Sequence, residues 1–150
     1  MKRRPILISG LPASGKSTLA RRLGDRILEF DSIAEKFGSY EELGEERELA
    51  LRHFQLLAQI GIYDVIVDVF HSRESRRNIV SILPFMPDII VVQCPVEECL
   101  RRNAVRLGSM ASNEEIIQMH WNFEPVGADE GFNSVCVYDS MENKVIGGNT

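Results

Sequence analysis

Long hydrophobic runs are absent from this chain of 150 residues. The longest apolar stretches, such as residues 65–67 and 89–92, have the length of a β-strand and fall far short of the ~20 residues that a membrane-spanning helix needs. The apolar run near the N-terminus ends at Ser9 and Gly10, too early for the core of a signal peptide. We therefore expect a cytoplasmic protein without a membrane span.

The chain also has few cysteines and no excess of positive charge. The three cysteines are odd in number and lack Cys-x-x-Cys spacing, which argues against a disulfide framework and a zinc knuckle. The chain has 17 Lys plus Arg against 22 Asp plus Glu, for a net charge of −5. This balance argues against an extensive surface for duplex nucleic acid, because such a surface needs many phosphate contacts. A small phosphorylated ligand held by a few local Arg and Lys side chains remains compatible with it.

Apolar segments alternate with amphipathic ones along the whole chain. The composition, 44% hydrophobic and 26% charged, is typical of a globular chain, and the length predicts one domain over residues 1–150. Strands that are hydrophobic on both faces and alternate with helices indicate a parallel sheet with crossover helices. We predict a three-layer α/β fold with a mostly parallel sheet of about five strands. The predicted strands are 5–9, 27–31, 63–69, 88–94 and 133–138, the predicted helices are 17–26, 40–60, 72–83, 96–107 and 113–121, and residues 147–150 are predicted to be a frayed tail.

The strongest motif lies between the first predicted strand and the first predicted helix. Residues 10–17, GLPASGKS, fit the phosphate-binding pattern G-x-x-x-x-G-K-[ST] at every fixed position. The glycines permit a backbone whose N–H groups face phosphate oxygens, and the helix N-terminus adds further donors. The lysine is expected to reach the β and γ phosphates of ATP, and the final serine to bind Mg²⁺. The predicted nucleotide contacts in this motif are Gly10, Pro12, Ala13, Ser14, Gly15, Lys16, Ser17 and Thr18.

Two aspartates at the ends of predicted strands are candidates for the chemistry. Asp31 ends the second strand and Asp68 the third, so a parallel sheet brings both to the edge that carries the phosphate loop. Val69 follows Asp68 where a hydrolytic enzyme would need a water-activating glutamate, which favours transfer to a bound acceptor. We assign Asp31 as the general base or orienter of the acceptor hydroxyl, and Asp68 as a magnesium or acceptor contact, with exchanged roles as an alternative. A helix N-cap is a further alternative for Asp31.

A basic helix predicts a closing lid at about residues 96–114. Arg102 and Arg106 are four residues apart on it, and a glycine-serine pair follows them. Arg102 is expected to bind the nucleotide, by stacking on adenine or gripping phosphate, and Arg106 to neutralise charge in the transition state. The alternative is a solvated basic face that pairs with Glu97 and Glu98.

Further basic residues follow the third predicted strand. His71 and Arg73 are candidate acceptor contacts, and Arg73 together with Arg76 and Arg77 could hold an anionic acceptor such as a phosphate or carboxylate. The alternative is a surface helix with ordinary charges.

These motifs resemble those of small P-loop kinases related to polynucleotide 5′-hydroxyl kinase, zeta toxin and adenylylsulfate kinase. The resemblance covers most of the chain, through the phosphate loop, Asp31, the V-I-V-D strand that ends at Asp68, and the Arg-Asn-x-x-Arg spacing from Arg102 to Arg106. It implies that Asp31 is the base and that Arg106 bridges the transferred phosphoryl group. The chain departs from the polynucleotide kinases because no arginine follows the base within residues 32–35, which weakens nucleic-acid 5′ ends as the acceptor. The usual last helix of the family is also short or missing.

The motifs and the resemblance predict an ATP- and Mg²⁺-dependent kinase that phosphorylates a hydroxyl group of a small molecule or nucleotide. The alternatives are a polynucleotide 5′-hydroxyl kinase and a nucleotide-binding module that regulates without transfer. Since the strands, the loop and the lid nearly fill the chain, we expect the predicted helix 40–60 and the segment after Asp68 to hold the acceptor. The sequence leaves open whether ATP or GTP is preferred and which molecule accepts the phosphoryl group.

Overall fold

A computed structural model describes residues 4–36, 46–106 and 111–149 of the chain. Its strands are β1 (Ile6–Ser9), β2 (Ile27–Glu29), β3 (Val65–Val67), β4 (Asp88–Gln93), β5 (Ser134–Asp139) and β6 (Lys144–Asn149). Its helices are α1 (Lys16–Leu23), α2 (Phe30–Ala34), α3 (Glu46–Ile60), α4 (Arg73–Val80), α5 (Val96–Val105) and α6 (Asn113–Trp121), with a 3₁₀ helix at Ala128–Glu130. Within the described ranges the strands form one sheet in the order β2-β3-β1-β4-β5-β6.

The sheet is mostly parallel, as the sequence predicts. Strands β1 to β5 pair in parallel, and β6 alone pairs antiparallel with β5. The predicted count of about five strands is one too low, and the prediction of a frayed tail is wrong for residues 147–149, which belong to β6. Gly148 permits this pairing: its φ is 143°, and a Cβ there would lie 2.4 Å from the Val135 carbonyl oxygen.

Five of the six described α-helices overlap predicted ones, whereas α2 is not among the predicted helices and begins inside the predicted strand 27–31. The predicted helix 40–60 is present as α3 from Glu46 onwards, and residues 40–45 lie outside the described residues. The first part of the predicted lid is α5, whereas residues 107–110 of that lid lie outside the described residues. Among the described helices, none combines the length and hydrophobicity that crossing a bilayer requires.

Two apolar layers hold the helices on opposite faces of the sheet. On one face, Phe30 of α2 and Phe54 of α3 pack edge to face, with ring centroids 5.7 Å apart, and both are buried. On the other face, Leu19 and Ala20 of α1 are buried against β1 and β3. Because β1, β2 and β3 run parallel, the loops that follow them lie at the same edge of the sheet.

Candidate active site

The loop between β1 and α1 has a backbone that its glycines make possible. Gly15 precedes α1 with a φ of 106°, a left-handed conformation that glycine adopts without strain. Gly10 lies so close to β4 that a Cβ would approach the Val92 carbonyl oxygen to 3.0 Å. Ser14 Oγ is buried and has no hydrogen-bond partner among the described residues. An unpaired buried hydroxyl beside a helix N-terminus suits an anionic ligand such as phosphate.

Lys16 begins α1 with its side chain buried. Its Nζ donates to the carbonyl oxygens of Gly10 at 2.9 Å and Leu11 at 2.8 Å. Burial lowers the pKa of Lys16, and the negative charges of Asp31 and Asp68 act in the opposite direction. A phosphate oxygen would give this ammonium a charged acceptor, which forms a stronger hydrogen bond than a neutral carbonyl.

A cavity of about 810 Å³ opens beside the loop. Residues from the ends of β2 and β3, from α1 and from the end of α5 line it together, because the sheet topology brings these segments to one edge. Of the predicted site residues, those that line it are Ala13, Gly15, Lys16, Ser17, Thr18, Asp31, Asp68, Arg102 and Arg106.

Asp31 lies in the first turn of α2, because β2 ends two residues earlier than predicted. Glu29 occupies the N-cap position of this helix, so the alternative that Asp31 is an N-cap is wrong. Asp31 lines the cavity together with Lys16 and Asp68. Its place in the wall suits a group that receives the proton of an acceptor hydroxyl.

Asp68 directly follows β3, and its Oδ1 accepts a hydrogen bond from the Val69 amide at 2.8 Å. Burial raises the pKa of Asp68 to about 6, the hydrogen bond from Val69 opposes this shift, and the charge of Asp31 adds to it. A carboxyl group that titrates near neutral pH is suited to proton transfer. The raised pKa of Asp68 therefore fits the alternative in which Asp68 exchanges roles with Asp31 and acts as the base.

Glu29 is a site residue that the sequence analysis missed. Ser17 Oγ donates to Glu29 Oε2 at 2.9 Å, and Glu29 lines the same cavity. Its carboxylate therefore lies beside the hydroxyl that is predicted to bind Mg²⁺. The signal in the sequence is an acidic residue at the end of β2, two residues before Asp31.

The two lid arginines differ in their surroundings. Arg102 Nη1 donates to the Ser14 carbonyl oxygen of the phosphate loop at 3.2 Å, and its Nε donates to Glu98 at 3.1 Å. Arg106 follows the last residue of α5 and has an extended backbone. It therefore does not share a helical face with Arg102, contrary to the prediction from the four-residue spacing. Both arginines still line the cavity. Arg101 also donates to Glu98, as the alternative of a paired basic face anticipates.

His71 and Arg73 lie away from the phosphate cavity. His71 lines a second cavity, and burial together with the charge of Arg76 lowers its pKa. Arg73 forms a two-pronged ion pair with Asp129, with both N–O distances at 2.9 Å. Arg76 is fully buried and pairs with Glu130, with Nε 2.7 Å from Oε1. The guanidinium groups of Arg73 and Arg76 therefore have carboxylate partners within the chain.

Residues 6–126 match the model of the AAA domain family AAA_33, a group of P-loop kinases. The chain belongs to this family. The match contains the phosphate loop, both aspartates and both lid arginines, so the described cavity is that of a P-loop kinase fold. No curated protein matches the chain.

Solved structures of P-loop kinases share this fold. A sugar kinase from Janibacter sp. HTCC2649 is similar with a TM-score of 0.68 and 21% identity, over 92% of this chain and 86% of that one. A gluconokinase from Sinorhizobium meliloti 1021 has a TM-score of 0.65 and 17% identity, over 94% and 89% of the two chains. A chain of the Pnkp1/Rnl/Hen1 complex has a TM-score of 0.54 and 25% identity, over 71% of this chain and 42% of that one. These similarities establish the P-loop kinase fold.

Proposed function

We propose that this protein is an ATP- and Mg²⁺-dependent kinase that transfers the γ-phosphoryl group to a hydroxyl of a small molecule or nucleotide. The observation that carries the proposal is the composition of one cavity wall. Lys16, three acidic residues (Glu29, Asp31 and Asp68) and the two lid arginines line the same cavity beside a phosphate loop. Phosphoryl transfer is mostly positioning and charge stabilisation, and this wall supplies a base and cations for both.

The oxygen-rich surroundings of Ser17 fit Mg²⁺, which supplies charge neutralisation at the phosphates when bound. Ser17 Oγ and the carboxylates of Glu29 and Asp68 would hold it. The described residues contain no cluster of three or more His, Cys, Asp or Glu side chains able to bind a metal by themselves. Such a cluster is not required, because Mg²⁺ in kinases is held by one or two carboxylates together with water and the phosphates.

The acceptor oxygen forms a bond to the γ-phosphorus as the bond to the β–γ bridging oxygen breaks, and ADP leaves. In this proposal the Asp31 carboxylate receives the hydroxyl proton, and Lys16 holds the β and γ phosphates. Arg106 stabilises the charge that spreads over the transferred group, and Arg102 holds the nucleotide over the loop whose carbonyl it already contacts.

Transfer from γ-labelled ATP to a panel of hydroxyl compounds tests the proposal; the panel includes sugars, nucleosides and an unphosphorylated oligonucleotide. We expect Asp31→Asn to lower the transfer rate by roughly 10²–10⁴-fold while ATP binding persists, because the variant loses only the proton acceptor. Asp25→Asn, which changes an exposed aspartate, is the matched control. Tight ATP binding without transfer to any compound would instead favour a regulatory module.

Arg106→Ala separates a transition-state role from ground-state binding. We expect kcat to fall more than the affinity for ATP, since the proposed contact strengthens as the phosphoryl group transfers. Arg101→Ala is the control, because Arg101 is an exposed neighbour that pairs with Glu98. Equal losses in kcat and in ATP affinity for Arg106→Ala would contradict the assigned role.

A polynucleotide 5′-hydroxyl acceptor is a second candidate, favoured by the 25% identity to the Pnkp1/Rnl/Hen1 complex chain. The oligonucleotide in the panel tests it directly. Preference for the oligonucleotide over free nucleosides would select this candidate over a small-molecule acceptor.

A further inference from the structure

A second cavity of about 420 Å³ adjoins the phosphate cavity. Asp68 and Val69 line both of them, so they form a shared wall at the end of β3. A molecule in the second cavity would therefore have one end at Asp68, next to the space assigned to the phosphates. The volume lies within the range of small-molecule sites, ~300–1,000 Å³.

Apolar side chains make up one part of the lining of this second cavity. Phe30, Leu51, Val69, Phe70 and Met119 are apolar, whereas Arg47, Glu48, Asp68, His71 and Ser75 are polar or charged. Phe30 and Phe70 are 6% and 3% exposed, so the packed core fixes their positions. Phe70 has a φ of 47°, and Arg76 Nη1 donates to its carbonyl oxygen at 2.8 Å. Two aromatic rings of the apolar part are thus fixed by the fold.

The charged residues that line the second cavity have no excess of positive charge. Arg47 is opposed by Glu48 and Asp68, and His71 has a lowered pKa, which favours its neutral form at pH 7. The nearby guanidinium groups of Arg73 and Arg76 are bound to carboxylates of the chain. The described residues therefore offer no excess of positive charge for a carboxylate or phosphate on the acceptor.

Resting on the proposed kinase function, we propose that the second cavity holds the acceptor and that the acceptor is a neutral alcohol with an apolar, ring-sized body. Its hydroxyl would lie at the shared wall, toward the cavity that holds Asp31. A sugar or sugar acid would place hydroxyl groups against Phe30, Phe70 and Met119, and each hydroxyl left unpaired there costs about 1–3 kcal/mol. The similarity in fold to a gluconokinase therefore does not extend to the acceptor of this chain.

Acceptor competition tests this specificity with the intact protein. The probes are benzyl alcohol and cyclohexylmethanol as apolar-faced alcohols, and glucose and gluconate as polar ones, each with γ-labelled ATP and Mg²⁺. We expect kcat/KM to be at least about tenfold higher for the apolar-faced pair, a factor equal to ~1.4 kcal/mol. A preference for glucose or gluconate would overturn the inference and leave the kinase function intact.

Leu51→Ser probes the wall itself, and Leu56→Ser is the matched control on the same helix. Leu51 lines the cavity and is 38% exposed, whereas Leu56 is 62% exposed and belongs to neither described cavity lining. We expect Leu51→Ser to raise the KM for benzyl alcohol about five- to tenfold with an unchanged KM for ATP, because the variant removes apolar contact only. Identical acceptor KM values for the two variants would overturn the inference. Absence of transfer to all four probes, with transfer to the oligonucleotide, would overturn this inference and leave the kinase function intact. Absence of transfer to every compound tested, with ATP bound, would overturn both.

Discussion

The burial of the Asp68 carboxyl group makes the free energy of unfolding depend on pH. Burial raises the pKa of Asp68 from 3.8 to about 6, so the folded protein binds this proton more tightly than the unfolded chain does. The stability that this group contributes is fully present below pH 3.8 and is lost as the pH rises through about 6. At neutral pH the ionised carboxylate therefore destabilises the fold.

The difference between the two pKa values sets an upper limit on this effect. It corresponds to ~3 kcal/mol of folding stability, of which about half is lost at pH 5 and all at pH 8. Asp68→Asn removes the charge and keeps an oxygen that can accept from the Val69 amide. Part of the gain is offset, because the variant also removes a negative charge that raises the pKa of Lys16. We expect a net stabilisation of about 1–2 kcal/mol at pH 8.

Urea unfolding at pH 5 and pH 8 measures the prediction. The advantage of Asp68→Asn over the wild-type protein should grow by about 1 kcal/mol between these two pH values. Asp25→Asn changes an exposed aspartate and should show a small, nearly constant difference. A variant that is no more stable than wild type at pH 8, or whose profile stays parallel to that of wild type, would refute the reasoning.

Two further substitutions test features that position the site. Arg76→Ala breaks the buried ion pair with Glu130 of the 3₁₀ helix and should lower the free energy of unfolding by about 3–5 kcal/mol. Arg77 is an exposed neighbour, so Arg77→Ala should change this free energy little. Equal losses for the two variants in urea unfolding would contradict the buried pairing. Gly148→Ala places a Cβ 2.4 Å from the Val135 carbonyl oxygen and should increase amide hydrogen exchange in β5 and β6. A Cβ at Gly147 would lie 3.9 Å from its nearest neighbour, the Val137 Cβ, so Gly147→Ala should leave the exchange unchanged. Unchanged exchange in Gly148→Ala would contradict the antiparallel pairing of β6.

The phosphate loop could be predicted because local sequence determines it, and the shared edge of Asp31 and Asp68 could be predicted because both follow strands of a parallel sheet. The loop motif is contiguous, and its glycines and lysine have fixed spacing between a strand and a helix. Asp31 and Asp68 follow parallel strands, so topology alone brings them to one edge. Glu29 escaped prediction because its contact with Ser17 Oγ joins the end of β2 to the start of α1, and only the folded chain shows it.

Charge and glycine content misled two other predictions. Arg76 lies in a basic segment typical of a surface helix, yet it is fully buried because Glu130 and the Phe70 carbonyl satisfy its guanidinium. Residues 147–149 contain two glycines, a composition that favours a tail over a strand. Their pairing depends on β5, whose backbone approaches Gly148 too closely for any larger residue.

Acceptor choice depends on side chains that no local pattern connects. The apolar wall of the second cavity comes from α2, α3, the turn after β3 and α6, and these segments meet only when the sheet and helices have packed. Phosphate binding, by contrast, is a property of residues 10–17 and of a backbone that any acceptor can share. A few wall side chains can therefore change the acceptor without changing the phosphate loop. A fold similar to that of a sugar kinase therefore does not identify the acceptor of this chain, which depends on the residues of its own cavity.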